Sequence, residues 1–226
     1  KRLAKIEGIE WIRMLYLYPK HFSDELLETI MTEPKVCKYI DMPLQHINNT
    51  VLQRMNRKDT RENIVALLHK IRNRSEHITL RTSLIVGFPG ETEEQFQELA
   101  EFVKDIRFDH MGVFTYSQED GTPAGMMDEQ IPEEVKEERY HTLMAIQAQV
   151  SEEHNRDLEG TIHQGMIESI DEVEPGKFLA RGRLQMQAPD VDGNMYVEDV
   201  TGLSEGDIVT VKVSQGFAYD VVVETV

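Results

Sequence analysis

A chain of 226 residues with 40% apolar and 29% charged residues can form one large or two modest domains, a composition that excludes a disordered chain. Its longest apolar runs are far too short to span a bilayer, and a single cysteine, Cys37, excludes a disulfide framework and points to a reducing compartment, by default the cytoplasm. The formal net charge of -17 argues against unaided binding along a phosphate backbone and fits a basic protein partner better.

The chain begins Lys1-Arg2 within what reads as a running helix, so a piece of a longer protein is expected. Ile9–Tyr18 is β-rich and stops before Pro19, which predicts a strand. Ser23 is placed to cap a helix carrying Leu26, Leu27, Ile30 and Met31 at helical spacing, with Asp24 and Glu25 in its first turn. Val36–Leu44 reads as the next strand, with Gln45 and His46 just past its end. The basic cluster Arg54, Arg57, Lys58 and Arg61 follows a short helical turn at Thr50–Met55. It reads as a solvated face, or as a contact for an acidic substrate if it lies beside a site. Ile64, Leu67, Leu68 and Ile71 keep the spacing of an amphipathic helix.

The stretch Thr79–Glu94, TLRTSLIVGFPGETEE, organises what surrounds it. Leu84, Ile85 and Val86 suit a strand covered on both faces of a parallel sheet. Gly87 and Gly90 bracket Phe88-Pro89, and Thr92 with Gln95 predicts a capping box. A strand end feeding a helix start is where α/β folds bind ligands; a plain βα turn without a ligand stays open as the alternative. The lysine and spacing of a phosphate loop are absent. A helix with Phe96, Leu99, Ala100 and Val103 and a strand over Met111–Ser117 complete four predicted strands, hence parallel βαβ units forming part of a barrel or an open sheet.

From Pro132 a long helix carries Val135, Leu143, Ile146 and Val150 and stops at Gly160. The pattern then changes to short period-two runs at Met166–Ile170, Phe178–Leu184, Met195–Val197, Ile208–Val213 and Ala218–Val223, most of them separated by turn signals, as in a small closed barrel of the OB type. Residues 159–226 hold four basic residues against thirteen acidic ones, the reverse of a general RNA-binding module.

Four motifs in order carry a resemblance: PLQH (Pro43–His46), VGFPGETEEQF (Val86–Phe96), VFTYSQEDGTPA (Val113–Ala124) and GRLQMQAPDVDGNMYV (Gly182–Val197). Together they resemble the methylthiotransferase branch of the radical S-adenosylmethionine (SAM) enzymes. The resemblance implies an α/β chain made of a partial radical SAM (TIM-like) barrel with its linker helix at 1–158, followed by a small all-β, OB-like TRAM domain at 159–226. It further implies SAM and two [4Fe-4S] clusters, each held by three cysteines. None of those cysteines is in this sequence, so the chain is expected to be inert alone. The implied chemistry is reductive cleavage of SAM to a 5'-deoxyadenosyl radical, hydrogen abstraction, and sulfur supplied by the second cluster.

Two branches of that family differ in substrate, one modifying tRNA adenosine and one the β-carbon of an aspartate in protein twelve of the small ribosomal subunit. The tRNA branch typically carries an arginine after the FxYS strand; here Gln118, Glu119 and Asp120 stand in that loop. The segment Trp11–Pro19 and the acidic tail also favour the protein-modifying branch, with a basic ribosomal protein as partner. A non-catalytic binding module is the alternative from another class.

The resemblance places Ile85 against the adenine and Gly87 at close approach, with Ser83 where the family pattern has glycine. Arg81 is expected to pair with the SAM carboxylate or, alternatively, with an acid on a neighbouring strand. Gln45 and His46 are expected to bond to SAM or orient the substrate, a structural histidine being the other reading. Phe114 and Tyr116 read as wall and core. No metal ligand and no catalytic residue is assigned to this chain.

Overall fold

The computed structural model describes residues 1–75 and 77–226. They divide into two compact units. One is Met14–Glu33 with Tyr39–Gln147; the other is Ala148–Val226 with Lys1–Arg13 and Pro34–Lys38.

The first unit is built on a parallel sheet of order β1-β2-β3: β1 (Tyr39–Asp41), β2 (Thr79–Val86) and β3 (His110–Thr115). Helices α1 (Asp24–Thr32), α2 (Asn49–Arg54), α3 (Arg61–Arg74) and α4 (Glu93–Ile106) lie before and between these strands in the chain. Their starts follow capping chemistry. Ser23, Asn48, Thr60 and Thr92 each accept a backbone N–H from the first turn, and Thr92 with Gln95 forms the full reciprocal box. Leu80, Leu84 and Val86 of β2 are buried, as are Phe96, Leu99, Ala100, Phe102 and Val103 of α4.

Two strand expectations are corrected. Ile9–Tyr18 forms no strand; it makes a single parallel bridge, Ile12 to Val36. Tyr16 then takes a left-handed conformation with φ 58, which breaks any ladder, and Tyr16 and Leu17 donate to the Asp41 carboxylate and carbonyl. The expected strand Val36–Leu44 is regular only over Tyr39–Asp41. Pro43 has no N–H to continue the ladder. Pairing resumes at Gln45, which donates to the Ser83 carbonyl at 2.9 Å and accepts from Ile85 at 2.8 Å. At the N-terminus a single 3-10 turn, Leu3–Lys5, stands where a running helix was expected.

Helix α5 (Glu133–Asp157) runs from one unit into the other. In the second unit β4 (Ile162–Glu174), β5 (Lys177–Leu184), β6 (Met195–Val197), β7 (Ile208–Gly216) and β8 (Val221–Thr225) close into a barrel of order β4-β5-β6-β8-β7. Every second residue points inward, so Ile167, Ala180, Leu184, Met195, Val197, Val211, Val213, Val221 and Val223 fill its core. Only β6 and β8 pair in parallel. No helix among the described residues is long and apolar enough to cross a membrane.

Candidate cofactor site

The register of the parallel sheet aligns Asp41 with Arg81, Arg81 with His110, Ser83 with Gly112 and Ile85 with Phe114. Side chains directly opposite one another across a ladder lie on the same face. The face they share changes character along the strands. At its base Tyr39, Asp41, Thr79 and Arg81 are buried; toward the C-terminal strand ends Ser83 and Ile85 are half-buried and Phe114 is 58% exposed. The result is an ionic floor below and an apolar ledge of Ile85 and Phe114 above. Of the pair Phe114 and Tyr116, read as wall and core, Phe114 is on the wall: its strand position directs it to the open part of this face.

Arg81 donates to Asp41 at 2.9 Å and to the Ser83 hydroxyl at 3.2 Å. Of the two roles expected for Arg81, the pairing with a neighbouring strand is thus present, through an acid that sequence reading passed over. Ser83, which replaces the glycine of the family pattern, gives the guanidinium a second acceptor. Asp41 also accepts the Tyr16 N–H at 2.9 Å. A buried guanidinium-carboxylate pair whose two members each have a further hydrogen-bond partner is held in a narrow range of geometry.

The turn after β2 is fixed from within. Glu91, 2% exposed, accepts the N–H groups of Gly87 and Phe88 on one carboxylate oxygen. Its other oxygen lies 3.7 Å from His46 Nε2 and 3.6 Å from Arg139 Nη1. Arg139 donates as well to the Glu91 carbonyl and to Glu93. His46 Nδ1 accepts the Asn48 N–H at 3.0 Å. In the neutral ring the proton is therefore on Nε2, facing Glu91. Of the two adjacent residues, His46 thus points into the protein. Gln45, at φ 71, is held by its backbone to both Ser83 and Ile85 and keeps a half-buried side chain.

Every backbone N–H from Gly87 to Thr92 is already engaged. Gly87 and Phe88 donate to the Glu91 side chain, Gly90 to the Glu129 carbonyl, Glu91 to the Phe88 carbonyl and Thr92 to Gln95, while Pro89 has none. An anion nest needs free N–H groups; this turn has none to offer a phosphate.

Gly87 sits at φ 73, and the space a Cβ would take is filled by the Cγ of Lys136. Its close approach is thus to α5. Gly90 is similar, with the Arg54 guanidinium in the place of its Cβ. The basic cluster is largely absorbed in such contacts: Arg54 pairs with Glu129, Arg61 with Glu98, and Arg57 bonds the Pro43 carbonyl and lies over the Tyr18 ring. Glu91, Lys136 and Arg139 were not singled out in the sequence. The two basic residues stand in an otherwise acidic run, EEVKEER, and their i, i+3 spacing is the one signal that they face inward together.

Cys37 is buried, and burial pushes its thiol above the ordinary value of 9.0 against the opposing effect of Arg13 and Arg183. One such thiol does not fit the three-thiolate set of an iron-sulfur cluster. No group of three or more His, Cys, Asp or Glu residues among those described is placed to hold a metal ion. The Ile85-Phe114 ledge beside fixed polar groups does fit a purine nucleoside, flat and apolar on its faces and polar at its edges.

Two family models match successive parts of the chain. A model of the radical SAM superfamily matches residues 1–103, and a model of the TRAM domain matches residues 160–226. A solved structure described as coproporphyrinogen III oxidase (HemN) from Escherichia coli, a radical SAM enzyme, shares the fold. Its TM-score is 0.52 at 23% identity, over 62% of this chain and 32% of that one. The molecule is therefore α/β, a partial radical SAM barrel followed by a small all-β TRAM barrel.

At the level of sequence, the chain is 47% identical over 220 residues to the ribosomal protein uS12 methylthiotransferase RimO of Clostridium botulinum (strain Loch Maree / Type A3), covering 97% of this chain and 48% of that protein. It is 48% identical over 227 residues to the protein of the same name from Trichlorobacter lovleyi, covering 100% and 50%. The chain thus carries a radical SAM region and a TRAM domain and is similar along nearly its whole length to radical SAM methylthiotransferases. It spans about half the length of the curated relatives it matches. The radical SAM match implies SAM and iron-sulfur cofactors for that superfamily's chemistry.

Proposed function

We propose that the protein containing this chain attaches a methylthio group to the β-carbon of an aspartate in ribosomal protein uS12, protein twelve of the small subunit. The observation that supports this most is the unbroken similarity across both domains to relatives bearing that name. On this reading residues 1–158 are the C-terminal part of the radical SAM barrel with its linker helix, and 159–226 are the TRAM domain. Two [4Fe-4S] clusters have their ligands outside this chain, and the chain alone is inactive.

SAM held beside a reduced cluster supplies the hydrogen-abstracting chemistry. The residues here bind and orient. Ile85 and Phe114 flank the adenine; Arg81, steadied by Asp41 and Ser83, faces the carboxylate end; Gln45 and the Gly87 backbone border the nucleoside; and His46 acts through Glu91. The acidic TRAM barrel draws a basic ribosomal protein in the cytoplasm and repels nucleic acid. The test is competition in vitro: the full-length, cluster-reconstituted protein with SAM and a reductant is offered uS12 and tRNA together. Addition of one methylthio group to uS12 with tRNA unchanged is expected; modified tRNA with unmodified uS12 would sink the assignment.

A further inference from the structure

We propose that Lys136 is a positioning residue for the cofactor-supporting turn, acting through Gly87 and Tyr116. It sits on α5 yet is only 6% exposed, unusual for a lysine. Its methylene stem occupies the space beside Gly87 that any other residue's Cβ would need. Its ammonium donates to the Tyr116 carbonyl at 2.9 Å and to Glu133 at 3.1 Å, and it lies 5.6 Å from the centre of the Tyr116 ring. Tyr116 in turn donates its N–H to the Val86 carbonyl at 2.9 Å, and its ring meets Phe88 edge-on at 5.2 Å.

One side chain thus touches the ends of two strands. β2 ends at Val86, directly before Gly87, and β3 ends at Thr115, directly before Tyr116; Val86 and Thr115 are register partners. The ledge residues Ile85 and Phe114 each stand two positions upstream of these anchors. Fixing Gly87 and Tyr116 to a common prop fixes the ledge's upper edge. A hydrocarbon would fill the gap but leave the Tyr116 carbonyl untied, and burying an ammonium is tolerable only because that carbonyl and Glu133 receive it. Lysine meets both needs, stem and charge.

The inference rests on the reading that the ledge carries the adenine of SAM. Its test uses the full-length reconstituted enzyme with Lys136→Ala, which removes stem and charge, and Lys136→Met, which restores most of the stem. The Ala variant is expected to raise KM for SAM about tenfold with kcat changed less than about twofold, since misplacement of a binding surface is felt in affinity. The Met variant, which refills the space beside Gly87 but leaves the Tyr116 carbonyl untied, is expected to recover part of that loss. Amide exchange of Gly87 and Phe88, measured without SAM, is expected to speed up in Lys136→Ala and to return toward the parent in Lys136→Met. Unchanged exchange and unchanged KM in both variants would overturn the proposal, as would a loss confined to kcat. Because amide exchange needs no cofactor, it decides the role of Lys136 even if the parent protein proves not to bind SAM.

Discussion

At the scale of single residues, Glu91 ties the turn after β2 to its surroundings. It is buried, closes two backbone N–H groups, and faces both a guanidinium and an imidazole. Removing one partner of such a buried set leaves the other charge uncompensated, which costs more than the pair itself contributes. Glu91→Gln is expected to lower unfolding stability by about 3 kcal/mol in a urea titration. Glu91→Gln combined with Arg139→Met is expected to lose less than Glu91→Gln alone, because the orphaned cation is gone. Equal losses would place the cost elsewhere. Cys37 gives a second test. Its folded-state thiol ionises at higher pH than the unfolded one, so the unfolded chain gives up its proton first and stability declines as pH rises past the ordinary value of 9.0. At pH 8 the native thiol is expected to react with a thiol reagent far more slowly than the urea-unfolded chain; equal rates would contradict its burial.

At the scale of elements, the turn joining β2 to α4 has two local determinants. Thr92→Ala removes the hydroxyl half of the capping box and is expected to cost about 1 kcal/mol in thermal or urea unfolding. Gly87→Ala must adopt a left-handed conformation beside Lys136 and is expected to cost more, about 2 kcal/mol. The box was legible in the sequence because capping is local, fixed by residues three apart. So were the amphipathic helices and the barrel strands, whose alternation reflects a single core. The strand read at Ile9–Tyr18 was not, since β-rich composition does not reveal that Tyr16 turns left-handed. His46 was visible as a polar residue beyond a strand, but its direction depends on Glu91, 45 positions further along the chain. Asp41 and Arg139 were hidden for the same reason: the pairing of buried charges is decided by register and helix docking. Phe114 and Tyr116 were read as wall and core from alternation, which tells two faces of a strand apart without saying which is open.

At the scale of the whole molecule, composition and domain order are informative together. Residues 159–226 place thirteen acidic against four basic residues on a small closed scaffold; under the proposed function that charge attracts a basic partner. Association with uS12 is expected to weaken steeply as salt rises from low to physiological concentration, since exposed charges are screened over about 8 Å at physiological ionic strength. Salt-independent binding would mean the acidic surface is not the attraction. If this chain belongs to an enzyme whose target is uS12, as proposed, the intact mass of uS12 from ribosomes of cells with and without the gene reports it. Deletion is expected to remove the mass of one methylthio group from uS12 and restoring the gene to return it; identical uS12 masses in both strains would contradict the uS12 assignment.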